Sequence, residues 1–116
     1  MFQKIINSFG NAISGLRTVL VEERNFKIEL FIGVIVLIFA YYFDFSTVEW
    51  ILCIVAIVLV LMSEIVNTAI EDLSTKVEPN HDPVIGRIKD MTAGLVLVSS
   101  IGALFIGLMV FWNHFL

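Results

Sequence analysis

The sequence predicts an all-α membrane protein with one N-terminal amphipathic surface helix and three transmembrane helices. Of its 116 residues, 59% are hydrophobic and 16% are charged, whereas soluble globular domains have roughly 45–50% and 25%. The mean hydropathy is +0.96. The length suffices for one domain, residues 1–116. In such a composition the net charge of −4 says little about soluble partners, and we expect no nucleic-acid partner.

The N-terminal segment, about residues 2–21, has the pattern of an amphipathic helix. Its apolar residues recur at spacings close to 3.6, the helical repeat: Phe2, Ile5, Ile6, Phe9, Ile13, Leu16, Val19 and Leu20. The polar residues between them fall largely on the opposite side, which is typical of a helix lying along a membrane surface. The pattern alone fits a plain membrane anchor equally well.

Three transmembrane helices are expected over about residues 28–45, 48–70 and 91–113. Each covers a mainly apolar run close to the length of about 20 residues that a membrane-spanning helix needs. Three spans and one surface helix are too few to enclose a site comfortably. The third span carries a strip of small residues suited to close helix packing, Ser99, Ala103 and Gly107. Association of several copies is therefore the economical solution.

The two connections between the spans differ in length and polarity. The first, 44–49, is too short for anything but an antiparallel helix pair. It is bracketed by aromatic residues typical of membrane interfaces, Tyr41, Tyr42 and Trp50. The second, 72–90, is polar, and we expect it to be helical at first and broken around Pro79 and Pro83.

The basic residues predict the orientation of the chain in the membrane. All seven lie before the first span or between the second and third: Lys4, Arg17, Arg24, Lys27, Lys76, Arg87 and Lys89. Because basic residues concentrate on the cytoplasmic side, the N-terminus is expected in the cytoplasm and the C-terminus outside. The polar end of the second span then faces the compartment that contains ATP.

A polar stripe ends the second span. Glu64, Asn67, Thr68 and Glu71 are spaced i, i+3, i+4 and i+7, which places them on one face of a helix. An ionisable residue at membrane depth costs at least ~2.5 kcal/mol on insertion scales. It therefore needs a partner, a water-filled cavity or a function. Two carboxylates with an amide between them suggest a function.

These polar residues supply the parts that phosphoryl transfer requires. Glu64, the deepest charge, could accept a proton as a general base. Glu71 and Glu23 could hold Mg²⁺ together with substrate phosphates, while Lys89 and Lys4 would bring positive charge to the phosphate oxygens. Spacing alone leaves three classes of protein open: such an enzyme, a proton-coupled carrier that uses Glu64, and an inert assembly protein.

Two motifs are more specific than the spacing. They are Glu64-Ile-Val-Asn67-Thr-Ala-Ile-Glu71 and Gly86-Arg-Ile-Lys89-Asp90-Met-Thr-Ala-Gly. The N-terminal half adds Gly15-Leu-Arg17 and Glu23-Arg-Asn-Phe26-Lys27-Ile-Glu29. Together these segments resemble the prokaryotic diacylglycerol kinase family, which includes undecaprenol kinases. The resemblance covers nearly the whole chain, including the three spans and the loop lengths.

The resemblance implies a homotrimeric lipid kinase of the bacterial inner membrane, with ATP and Mg²⁺ as cofactors and active sites between subunits at the cytoplasmic surface. Glu64 would be the general base that takes the proton from the primary hydroxyl of a lipid alcohol. Glu23 and Glu71 would bind the metal ion that orients the ATP phosphates. Other residues would surround the nucleotide, namely Lys4, Asn67, Asn80, His81, Asp82, Lys89 and Asp90. Two more would line the lipid cleft, Arg17 and Glu29.

One departure from the family pattern concerns position 75. The family usually has an aspartate four residues after the second glutamate of its motif, and this chain has Thr75. The acceptor expected first is diacylglycerol, converted to phosphatidic acid. Undecaprenol is the alternative, because both lipids present a primary hydroxyl on an apolar body. A small proton-coupled transporter is the more distant alternative.

Overall fold

The computed structural model describes residues 1–116 and contains four helices and no strand. Their bounds are Phe2–Glu22 for α1, Arg24–Tyr42 for α2, Thr47–Val77 for α3 and Pro83–Phe115 for α4. Three of them, α2, α3 and α4, are long and apolar enough to cross a membrane. The predicted all-helical fold with three candidate spans is therefore confirmed. The position of α1 on a membrane surface stays a prediction.

A single residue, Glu23, separates α1 from α2. Its backbone is extended, with φ −105° and ψ 111°, so the chain changes direction there. Its side chain caps the next helix, because Oε1 accepts a hydrogen bond from the backbone N–H of Asn25 at 3.5 Å. This capping role places the Glu23 carboxylate where the two helices meet.

The turn between α2 and α3 ends in a capping box. The Ser46 hydroxyl accepts a hydrogen bond from the Glu49 N–H at 3.2 Å, and Oε1 of Glu49 accepts one from the Ser46 N–H at 2.8 Å. Asp44 adopts a φ of 53°, a left-handed conformation that aspartate tolerates better than most residues. These local preferences fix the start of α3 at Thr47.

The α4 helix begins eight residues before the uncharged segment at Met91. Pro83 occupies its first turn, and Oδ1 of Asp82 accepts hydrogen bonds from the N–H groups of Val84 and Ile85 at 2.9 and 3.1 Å. Proline just inside a helix after an aspartate cap is a strong start signal. The polar residues up to Asp90 thus lie on the first turns of α4, within the segment that we expected to be irregular near Pro83.

The long helix α3 is the centre of the structure, with α2 and α4 packed against it and α1 touching only α2 and α3. Gly33 allows close approach of α2, since a Cβ there would lie 3.0 Å from Cγ2 of Ile57. Only 12 of the 116 residues are buried, and most large apolar side chains are exposed. So much exposed apolar surface requires lipid or further copies of the chain to cover it.

Candidate active site

Glu64 is the most buried charged residue of the molecule. It is 2% exposed and lies on α3 facing α2. The carboxyl group of Glu29, on α2, lies close enough to interact with that of Glu64. Two such groups can share a hydrogen bond only when one of them is protonated.

Two further carboxylates lie close enough to interact electrostatically with Glu64: Glu23, at the α1–α2 junction, and Glu71, two turns further along α3. We call Glu23, Glu29, Glu64 and Glu71 the acidic cluster. The polar stripe expected on α3 thus meets two acids from the preceding segment. Helix α3 supplies Glu64 and Glu71, and packing of the α1–α2 segment against α3 brings in Glu23 and Glu29.

Two buried oxygen atoms beside this cluster have no hydrogen-bond partner, Oε2 of Glu29 and Oδ1 of Asn67. A buried acceptor left unpaired costs about 1–3 kcal/mol, and such atoms are rare in folded proteins. With Glu29 ionised both atoms are acceptors, so the missing group is a donor or a cation. A lipid hydroxyl, with one proton, could satisfy one of them, whereas a water molecule or a metal ion could serve both.

Thr68 connects the cluster to the backbone of α3. Its hydroxyl lies 2.8 Å from the carbonyl oxygen of Glu64 and 3.5 Å from Oε2 of Glu23. Thr68 is 4% exposed. Among the side chains of α3, it is the one that donates a hydrogen bond to Glu23.

The donor set of the acidic cluster fits a metal ion that arrives with phosphate groups. No three His, Cys, Asp or Glu side chains are arranged to hold a metal ion on their own. Mg²⁺ usually needs only one or two carboxylates, because phosphates and waters complete its octahedron. Glu23 and Glu71 supply that number of carboxylates.

A second acidic pair lies at the exposed edge of the cluster. Asp72, on α3, raises the pKa of the Glu22 carboxyl group, first by a hydrogen bond and then by its negative charge. Glu22 is exposed at the end of α1. This pair adds to the negative potential at the α1–α2 junction without being part of the acidic cluster.

A polar cavity of about 170 Å³ lies between the end of α3 and the start of α4. It brings together several residues expected around the nucleotide, and its lining is Thr75, Glu78, Pro79, Asn80, His81, Asp82, Ile85, Gly86 and Lys89. Asp82 also caps α4 through Oδ1, so one of its oxygens already has a structural role. The cavity is smaller than the roughly 300–1,000 Å³ of typical small-molecule sites.

A mainly apolar groove of about 360 Å³ separates α1 from α3. Its lining is Ala12, Gly15, Leu16, Thr18, Val19, Ile65, Thr68, Ala69 and Asp72. Small residues on both helices keep it open, and a Cβ added at Gly15 would meet no atom within 4 Å. Thr68 links this groove to the acidic cluster.

Three residues predicted for the site are not joined to it within one chain. Lys4 and Arg17 are exposed on α1, and neither side chain makes an ion pair or a hydrogen bond. Asp90 is exposed on α4, whereas its neighbour Lys89 is half-buried at the polar cavity.

A polar network at the opposite end of α3 has no counterpart in the sequence analysis. Oε1 of Glu49 lies 2.9 Å from Nδ1 of His114, and Oε2 accepts a hydrogen bond from the Asn113 side chain at 3.4 Å. We call Ser46, Glu49, Asn113 and His114 the turn network. Because a carboxylate can only accept, the proton of this contact is on His114 Nδ1. The partners lie 64 and 65 residues apart in sequence, so no local pattern could have revealed them.

The fold and the site together define a helical membrane protein with an acidic, partly unpaired site beside an apolar groove. Residues 10–111 match the family model for prokaryotic diacylglycerol kinase. The chain is 30% identical over 114 residues to the diacylglycerol kinase of Escherichia coli (strain K12), with 98% of this chain and 93% of that protein covered. It is 31% identical over 108 residues to the undecaprenol kinase of Bacillus subtilis (strain 168), with 93% and 88% covered.

The chain therefore belongs to the prokaryotic diacylglycerol kinase family. The expectation of a lipid kinase is confirmed at the level of the family, which includes both diacylglycerol and undecaprenol kinases among the relatives. A proton-coupled carrier and an inert assembly protein are no longer needed to explain the polar stripe.

Proposed function

We propose that this protein transfers the γ-phosphoryl group of MgATP to the primary hydroxyl of a membrane lipid, and that diacylglycerol is the acceptor. The observation that supports this proposal most is the pair of unpartnered acceptor atoms, Glu29 Oε2 and Asn67 Oδ1, beside the buried carboxyl group of Glu64. A hydroxyl group has one proton, which it donates in a hydrogen bond and which a base can then remove. The unpaired acceptors mark a place for such a donor next to Glu64.

In this proposal Glu64 takes the proton from the lipid hydroxyl as the attacking oxygen approaches the phosphorus atom. Positioned general bases contribute typically 10²–10⁴-fold to rate. Glu29 lines the place of the hydroxyl, and as the neighbour of Glu64 its carboxylate can accept the proton in turn, which returns Glu64 to its ionised form. The low-dielectric surroundings strengthen these interactions relative to water.

Glu23 and Glu71 hold Mg²⁺, which when bound neutralises charge on the transferred phosphates. Asn67, Lys89 and Asp90 orient the nucleotide, and the ammonium group of Lys89 attracts phosphate oxygens. Asn80, His81 and Asp82 border the polar cavity and contact the rest of the nucleotide. The electrostatic interaction between Glu64 and both metal-binding acids supports a common site for base and metal.

The lipid enters sideways from the bilayer along the groove between α1 and α3, with Arg17 at its rim. The groove's apolar lining and its connection to the acidic cluster through Thr68 support this route. Lys4 completes the phosphate site from a neighbouring copy, because within one chain it contacts no other site residue. The assembly proposed is a homotrimer in the bacterial cytoplasmic membrane, with the N-terminus in the cytoplasm and the C-terminus outside.

Undecaprenol is the second candidate acceptor, because the chain is also 31% identical to an undecaprenol kinase. The test is transfer from labelled ATP by the purified protein in mixed micelles, with both lipids offered in parallel. We expect transfer to diacylglycerol that requires Mg²⁺ and is lost in Glu64→Gln. Transfer to undecaprenol alone would show that undecaprenol, and not diacylglycerol, is the acceptor. Absence of transfer to either lipid, from folded protein, would overturn the proposal.

A further inference from the structure

We propose that Thr68 is a positioning residue that holds the Glu23 carboxylate in register with the backbone at Glu64. The proposal rests on the proposed function, in which Glu23 binds the metal ion and Glu64 is the base. Thr68 lines the groove proposed for the lipid, but its hydroxyl would act through Glu23 and not on the reacting atoms.

The two carboxylate oxygens of Glu23 have different surroundings. Its position at the helix junction makes its backbone extended, and only one side-chain oxygen, Oε1, is engaged locally, by the N–H of Asn25 at 3.5 Å. The other oxygen, Oε2, is directed at α3 and has the Thr68 hydroxyl as its protein donor. A metal-binding carboxylate needs such outer contacts to fix its orientation.

The Thr68 hydroxyl has a single proton to donate. It lies within reach of two acceptors, the Glu64 carbonyl at 2.8 Å and Oε2 of Glu23 at 3.5 Å, and it can serve only one of them fully. The shorter contact is a bond back to the fourth preceding residue of the same helix, which tends to bend helices locally. Thr68 therefore connects the backbone of the base to the side chain of the metal ligand.

No other side chain of α3 makes a hydrogen bond to the Glu23 carboxylate. Two other contacts link α3 to the preceding helices, Glu22–Asp72 and Glu29–Glu64, but only the Thr68 hydroxyl reaches Glu23. Removing it would leave Glu23 fixed only by the local cap to Asn25. The carboxylate would then sample more orientations, and metal binding would weaken while the base stayed in place.

The experiment compares Thr68→Val, which keeps the branched shape but loses the hydroxyl, with Thr68→Ser, which keeps the hydroxyl. Two readouts are measured. One is steady-state phosphate transfer. The other is the shift in thermal unfolding produced by Mg²⁺ with a non-hydrolysable ATP analogue. Ser63→Ala is the matched control, because Ser63 is equally buried on α3 and its hydroxyl bonds only to its own helix, at Val60 O, 2.7 Å.

We expect Thr68→Val to raise the apparent KM for MgATP, and the analogue concentration giving half the thermal shift, about tenfold, equivalent to ~1.4 kcal/mol. We expect kcat to fall less than about threefold, since the base is untouched. Thr68→Ser should restore both values to within about twofold of the original. In Glu23→Gln protein, Thr68→Val should add little further loss, because coupled residues are not additive.

Equal behaviour of Thr68→Val and Ser63→Ala would overturn the inference, as would full additivity of Thr68→Val with Glu23→Gln. A matching loss in Thr68→Ser would also overturn it, because it would assign the effect to packing. These results differ from failure of the proposed function, in which the unaltered protein itself would show neither transfer nor a nucleotide-induced shift.

Discussion

Two buried carboxylates on α3 differ in how completely their oxygens are paired. At one end Glu49 is 5% exposed, and its two oxygens have contacts from Ser46, His114 and Asn113. About four turns further along the same helix, Glu64 is 2% exposed and faces another carboxyl group, with unpaired acceptors beside it. The two carboxylates are buried to a similar extent. The oxygens of Glu49 have hydrogen-bond partners, whereas acceptor atoms next to Glu64 have none.

This difference separates a structural role from a functional one. A buried charge whose acceptors are all paired stabilises the fold, and here it joins the end of α4 to the α2–α3 turn. A buried acidic group surrounded by acids and unpaired atoms is destabilising by itself, and such groups are retained where a ligand completes them. The burial of an acidic residue, taken alone, would not distinguish the structural role from the functional one.

The largest expected effect after loss of the base is on metal dependence. Glu71→Gln removes one of the two carboxylates proposed for Mg²⁺, so the half-saturating Mg²⁺ concentration should rise by about 10–100-fold, the range seen when metal sites are weakened. It is measured by titrating Mg²⁺ in the phosphate-transfer assay. Asp44→Asn, which alters an exposed acid in the α2–α3 turn, far along the chain from the acidic cluster, is the control. An unchanged titration in Glu71→Gln would remove Glu71 from the metal site.

The turn network should matter for stability. Glu49→Gln weakens the contacts with the Ser46 N–H and His114, so the free energy of unfolding should fall by about 1–3 kcal/mol, the range for a buried polar group that loses a charged partner. Thermal unfolding in detergent measures it. His114→Ala should cost a similar amount, and the double variant less than the sum of the two, because both remove one contact. Additive losses would mean that Glu49 and His114 act independently.

The smallest effect is expected at the exposed pair of Glu22 and Asp72. Because the pKa of Glu22 is raised in the folded state above its ordinary value of 4.5, the folded protein holds this proton more tightly than the unfolded chain. The stabilisation is present below the ordinary value and is lost as the pH rises through the raised one. Solvent screening keeps the change small.

Asp72→Asn removes the carboxylate that raises the pKa of Glu22 through a hydrogen bond and through its charge, so the unfolding temperature of the variant should decline less than that of the unaltered protein as the pH rises above 4.5. Parallel curves for the two proteins would show that the acidic pair does not perturb Glu22.

Helix count, helix type and the polar stripe on α3 could all be predicted from the sequence, because apolar runs and a 3.6-residue repeat are local signals. The start of α4 at Pro83 also had a local signal, an aspartate followed by proline, although we assigned the break there and not the helix. The metal-binding and catalytic roles came from resemblance to a family and stay proposals.

The long-range contacts could not be predicted. Glu29 meets Glu64, and Glu49 meets His114, because α2 and α4 pack on α3 with a particular rotation. That rotation depends on close contacts such as Gly33 against Ile57, which have no one-dimensional pattern. For the same reason the sequence could not separate a paired acid from an unpaired one.

The most direct test of this account changes the two buried acids in the same way. Glu64→Gln and Glu49→Gln are purified in one detergent, and phosphate transfer and thermal unfolding are measured for both. We expect Glu64→Gln to lose about 10²–10⁴-fold in turnover with little change in unfolding temperature. Glu49→Gln should unfold about 4 °C or more earlier and keep its turnover per folded molecule. The reverse pattern, with activity depending on Glu49 and stability on Glu64, would contradict the account.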